Sequence, residues 1–198
     1  MRGRVDRDAG QTAIASVTDA AGLAAVRRAV WLLPAAFVVH DGEELLTMAG
    51  WIRAHESLLH RAAGMGALPR LAVANLPTTT RQVGVAILVV LLVLVAATGA
   101  LSRRPERRGA LFLYAALLGA FAAHSLSHVG LTMALHEYTP GVVTAIVVIP
   151  LSGFAVYRRL FRSTLLTPKS ALVTAAAGLT LVFPFLLAAH FIGRLVGR

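Results

Sequence analysis

Five apolar runs, 29–52, 83–101, 110–135, 140–157 and 171–193, partition this sequence. A helix rises about 1.5 Å per residue, so crossing a hydrocarbon core of about 30 Å takes about 20 apolar residues. Inside lipid every backbone N–H and C=O must find its partner within the protein, and a helix supplies those partners along its own length. The runs therefore predict an all-α fold, a polytopic transmembrane bundle of about five spans, with residues 29–198 as one domain. Composition agrees: 57% of the 198 residues are hydrophobic, against about 45–50% in a soluble domain. Residues 1–28 read as a polar cytoplasmic tail in which "TDAAGLAAVRRAV" can form a short amphipathic helix. "WIRAHESLLHRAAG" after the first run predicts an interfacial helix. Thr139-Pro140 and Thr167-Pro168 each read as a helix start, with a capping hydroxyl before a proline at the first helical position.

The net charge of +10 does not point to nucleic acid. The basic residues sit between the apolar runs, and no aromatic-basic recognition motif is present. They report orientation instead. With five spans, the N-terminal tail, the "SRRPERRG" loop and the "RRLFRSTLLTPKS" loop share one side and hold 13 Lys and Arg, against 6 on the other side. The positive-inside rule puts the first group in the cytoplasm. The N-terminus is then inside, the C-terminus outside, and the protein a multi-pass component of the cell membrane.

Within the first run, "FVVHDGEELLTM" carries a histidine and three carboxylates. At about 100° per residue, Glu43 and Glu44 flank His40, Thr47 falls between them, and Asp41 sits at the edge of the arc. A carboxylate facing lipid costs several kcal/mol, so this stripe should face the bundle interior. The third run carries a matching stripe in "FAAHSLSHVG": His124 and His128 are one turn apart, with Ser127 near them. Counted from the basic residues that precede each run, Glu43, Glu44 and His124 reach a common depth of about 23–24 Å. Adjacent carboxylates in low dielectric need a proton or a cation. No Lys or Arg lies in the apolar part of any span, so the compensating groups are histidines, or a metal held by histidines and carboxylates. The chain has no cysteine, which excludes thiolate sites and leaves a donor set suited to Zn, Fe or Mn. The candidate metal ligands are His40, Glu44, His124 and His128. Asp41 and Ser127 are expected to support them, and His190 on the fifth run stays open between joining the site and lying at the interface.

"HDGEE", His40 to Glu44, resembles the motif that names the HXXEE family of integral membrane proteins. "HSLSHVGLTMALHEYTPGVVTAIVVIPLS" is similar to a later block of that family, in which a polar residue and a histidine one turn apart precede a Tyr-x-Pro-Gly turn and a Val-Thr-Ala helix start. Here the turn and helix start carry Tyr138, Pro140, Gly141, Val143, Thr144 and Ala145. The resemblance implies a membrane bundle with a shared site, and it brings no reaction with it.

Three functions fit these residues. One is an intramembrane metalloenzyme acting on a hydrophobic or lipid-like small molecule. HxxEE loosely resembles the H-x-x-E-H arrangement of inverted zinc proteases, with His40 and Glu44 as ligands and Glu43 as the base for a metal-bound water; a dinuclear version would bridge through both glutamates. Another is a proton-coupled or metal-ion transporter, for which dimerisation would compensate the small size. The third is a membrane scaffold whose polar network is structural. The lipid bilayer is the expected partner, a homo-oligomer is left open, and nucleic acid is not expected. The charge asymmetry gives a first test: topology reporters fused to the two termini should give opposite readouts, and matching readouts would mean an even number of spans.

Overall fold

The computed structural model describes residues 20–197. Among them there is no strand, and five helices are long and apolar enough to cross a membrane. Residues 20–29 are helical and continue, after a break at Val30 and Trp31, into α1 (Leu32–Ala54). Two short helices follow, α2 (Glu56–Gly64) and α3 (Ala67–Asn75). The remaining spans are α4 (Thr80–Arg103), α5 (Arg108–Leu135), α6 (Val142–Arg162) and α7 (Pro168–Val196). The five expected spans are all present, and the helices run past the apolar runs by a few residues at most ends. The interfacial segment forms two helices where one was expected. Residues 1–19 of the expected tail lie outside the described residues.

The break before α1 has a local cause. Pro34 has no N–H and so cannot bond the carbonyl of Val30, four residues earlier. The phenol of Tyr114, fully buried on α5, donates to that oxygen at 2.8 Å. Thr167-Pro168 starts α7 as expected, with a capping box in which Thr167 and Ser170 exchange bonds and proline in the first turn. Thr139-Pro140 does not start α6. The N-cap of α6 is Gly141, at φ 82°, and the Thr139 hydroxyl bonds Thr132 Oγ1 at 2.5 Å instead. Proline at 140 favours an extended residue before it, and the chain needs a further residue, with positive φ, to turn into the helix.

Around the bundle, α1 packs against α4 and α6, α6 against α5, α5 against α7, and α7 against α4. The first and third spans, α1 and α5, lie diagonally across the interior and meet through large side chains. Phe37 and Phe121 pack with centroids 6.0 Å apart, and the His40 ring lies edge-on to Phe121 at 5.6 Å. Helices this far apart leave interior space that polar side chains can occupy. The lipid-side surface is apolar, with Leu151, Phe154, Leu172 and Leu181 all exposed.

The α5–α7 contact shows the close approach that small residues allow in membranes. A Cβ at Gly119 would lie 2.5 Å from Ala175 Cα, and one at Gly178 would collide with the Ala116 carbonyl. At Gly153 on α6 there is nothing within 4 Å. Gly178→Val should therefore lower stability by about 1–3 kcal/mol or more, and Gly153→Ala should not. Thermal unfolding in detergent followed by loss of monodisperse protein reads the difference.

Candidate metal centre

His40 is fully buried on α1, and Glu44 lies one turn further along the same face. His128 and, one turn before it, His124 come from α5. Each of the four offers a donor atom, and these atoms all lie within 4.8 Å of one another. His128 Nε2 is 2.9 Å from His124 Nε2 and 3.3 Å from Glu44 Oε1, and His124 Nε2 is 3.9 Å from the same oxygen. Donors around one tetrahedral ion, bound at about 2.0–2.2 Å, would stand about 3.3–3.6 Å apart. Among the described residues this His/Glu group is one that could hold a metal ion.

The surrounding hydrogen bonds set the proton position on the His40 ring. The Glu43 carboxylate takes four bonds, all from donors: Tyr138 Oη–H at 2.7 Å, Val143 N–H at 3.3 Å, Thr144 N–H at 2.9 Å and Thr144 Oγ1–H at 2.7 Å. A hydroxyl has one proton. With the Thr144 proton directed to Glu43, its oxygen accepts from His40 Nδ1 at 2.9 Å. His40 is then protonated on Nδ1, and Nε2 carries a lone pair. That Nε2 is buried and has no hydrogen-bond partner among the described residues. A second hydrogen-bonded group that fixes tautomer and ring plane is the usual surrounding of a metal-binding histidine.

The turn between α5 and α6 closes over these residues. A Cβ at Gly141 would sit 2.9 Å from Cε1 of both His128 and His40, so glycine is required there by space as well as by its positive φ. Trp51 Nε1 donates to the Tyr138 carbonyl at 3.1 Å, and His55 Nε2 meets Glu137 at 2.6 Å, which ties the turn to the far end of α1.

The structure places two of the expected site residues away from the four donors. Glu43, expected to face a metal-bound water, points to the first turn of α6, because the flank of α1 it occupies is the one against which α6 packs. Ser127, expected beside the ligands, is exposed and bonds the His124 carbonyl of its own helix at 2.6 Å; one residue before His128 it is turned by about 100°. Asp41 is buried with Oδ2 unpartnered, and together with Glu44, His124 and His190 it lines a cavity of about 120 Å³ between α1, α4, α5 and α7. His190 thus reaches the cavity and stands outside the four-residue group. Sequence reasoning did not assign Tyr138, Gly141 or Thr144 to the site. The signal was their common block, a turn sequence running straight into a helix start, read as helix punctuation.

Comparison with curated proteins and with solved structures finds no match for this chain. Residues 31–155 match the family described as "Protein of unknown function with HXXEE motif". The matched stretch runs from the start of α1 into α6, and so covers every residue of the His/Glu group and of the turn that closes over it. A motif that names a family and a second block on α5 and α6 thus meet at one point in the bundle, and the chain belongs to the HXXEE family.

Proposed function

We propose that His40, Glu44, His124 and His128 hold one divalent metal ion inside the bundle, and that this centre serves a reaction on a hydrophobic, lipid-like substrate. The observation that carries the metal is the buried, unpartnered Nε2 of His40, held as a lone pair by Thr144 and facing three further donors. A buried polar atom without a partner costs about 1–3 kcal/mol, and a cation bound at the His40 Nε2 removes that cost. Three imidazoles and one carboxylate without sulfur suit Zn, Fe or Mn. Bound there, such an ion would polarise an oxygen of the substrate or lower the pKa of a water. Glu43 in this reading positions His40 through Thr144. The carboxylate left free to exchange a proton at the cavity is Asp41. The end of the bundle that carries the centre is the end away from most Lys and Arg, which supports a centre toward the outer face of the membrane.

A second reading, proton transfer across part of the membrane, is favoured by a separate observation. Tyr138, Glu43, Thr144 and His40 form an unbroken hydrogen-bonded path from a half-exposed phenol to a fully buried imidazole.

Elemental analysis of the purified protein tests both. The metal reading expects close to one ion per chain, with occupancy lost in His128→Ala and Glu44→Gln. Thr144→Val removes the acceptor that orients His40 and should weaken metal affinity about 10–100-fold, with the ion restored at higher metal concentration. Glu43→Gln should keep the ion; depletion to the level of His128→Ala would make Glu43 a ligand and the site dinuclear. A metal-free wild type that passes protons in liposomes would transfer the lead to the second reading.

A further inference from the structure

The cavity beside the centre shares the lining residues Leu117, Ala120, Val182 and Phe185 with a second cavity of about 380 Å³ between α4, α5 and α7. The lining of this second cavity is wholly apolar, and it includes Leu113 and Leu181, which are exposed on the membrane-spanning surface. Along α7 the two cavities extend from His190 to Gly178, twelve residues, or about 18 Å at 1.5 Å per residue. One end opens on the apolar outer surface. The other is marked by the unpartnered Oδ2 of Asp41, 7% exposed, with His190 and His124 beside it.

An elongated space, apolar along most of its lining and polar at one end, suits a single-chain amphiphile. A compact polar solute would leave most of the lining unused. We propose that the two adjoining cavities together bind one long-chain lipid that enters sideways from the bilayer, lays its apolar chain along α7, and places a head that donates a hydrogen bond, such as a hydroxyl, at Asp41. This inference rests on the reading of the centre as a site for a lipid-like substrate, and it names the class: a single-chain amphiphile with a donor head, taken tail-down from the membrane.

The test uses the full-length protein in lipid nanodiscs and a hexadecanol carrying a photoreactive diazirine near the end of its chain. After irradiation, label should map to α5 and α7 around Leu113, Leu117 and Val182, and excess unlabelled hexadecanol should compete it away. Val182→Trp fills the wall shared by both cavities and should cut specific labelling at least tenfold. Val173→Trp, on the exposed surface of the same helix and outside both cavities, should leave it unchanged. Ala120→Phe blocks the passage from the opposite wall and serves if Val182→Trp does not fold. Hexadecane should compete less well than hexadecanol, and Asp41→Leu should remove that preference. Metal content is measured on the same samples. Wild-type protein that lacks metal yet labels in this pattern upholds the chain site and sinks the metal reading. Metal-loaded protein labelled evenly over its lipid-facing surface, and equally in both tryptophan variants, overturns the proposal.

Discussion

The hold of Glu43 on the first turn of α6 organises this molecule. A carboxylate within a membrane span has few affordable partners, and the N-terminus of a helix offers two: backbone N–H groups that the helix itself cannot use, and the positive end of its dipole. Glu43 takes both, from Val143 and Thr144, and adds two hydroxyls. The contact fixes where α6 begins relative to α1. It thereby draws the turn at 136–141 across the interior, sets Gly141 against two imidazoles, and gives the Thr144 hydroxyl its direction. The helix has no capping side chain of its own at its N-cap, Gly141; Glu43 fills that role from another span.

The diagonal relation of α1 and α5 follows from the same arrangement. Were these two helices packed backbone to backbone, through small residues as α5 and α7 are at Gly119 and Gly178, no room would remain for the four His and Glu side chains. Bulky Tyr114, Phe37 and Phe121 hold them apart. The space so kept is polar on the side of α6, where Thr144 and the turn supply donors and acceptors, and apolar on the side of α4 and α7, where the cavity lies.

Much of this was legible in the residues. The spans follow from run length alone, because backbone satisfaction in lipid leaves a continuous apolar run little choice. His40, Glu44, His124 and His128 follow from helical spacing plus the cost of isolated charge, which brings two polar stripes together without any knowledge of packing angles. What spacing could not reveal was which flank of His40 meets which neighbour. Glu43 and Glu44 are nearly symmetric about that histidine, and only the position of α6 separates their surroundings. Thr139 failed as a cap for a related reason. Its hydroxyl had a local use in view, at the start of α6, and a partner on α5 in the fold, Thr132. Asp41 was placed at the edge of the stripe, and the edge proved to be the side of the cavity.

The bond from His40 to Thr144 joins residues 104 positions apart in the chain, and that separation is also a delay. Chains grow at about 5–20 residues per second, so α1 is made about 5–20 s before the helix that satisfies its polar groups exists. During that interval Asp41, Glu43 and Glu44 stand in or beside the membrane with none of the α6 donors, and for most of it with none of the α5 imidazoles. A span so burdened is held in lipid most cheaply with its carboxylates protonated, or with its polar turn kept at the interface. The arrival of α6 then changes what α1 is: a reluctant, acid-bearing segment becomes the fixed wall of an ordered interior. Biogenesis of this protein thus has a late step in which an early span is completed by one of the last.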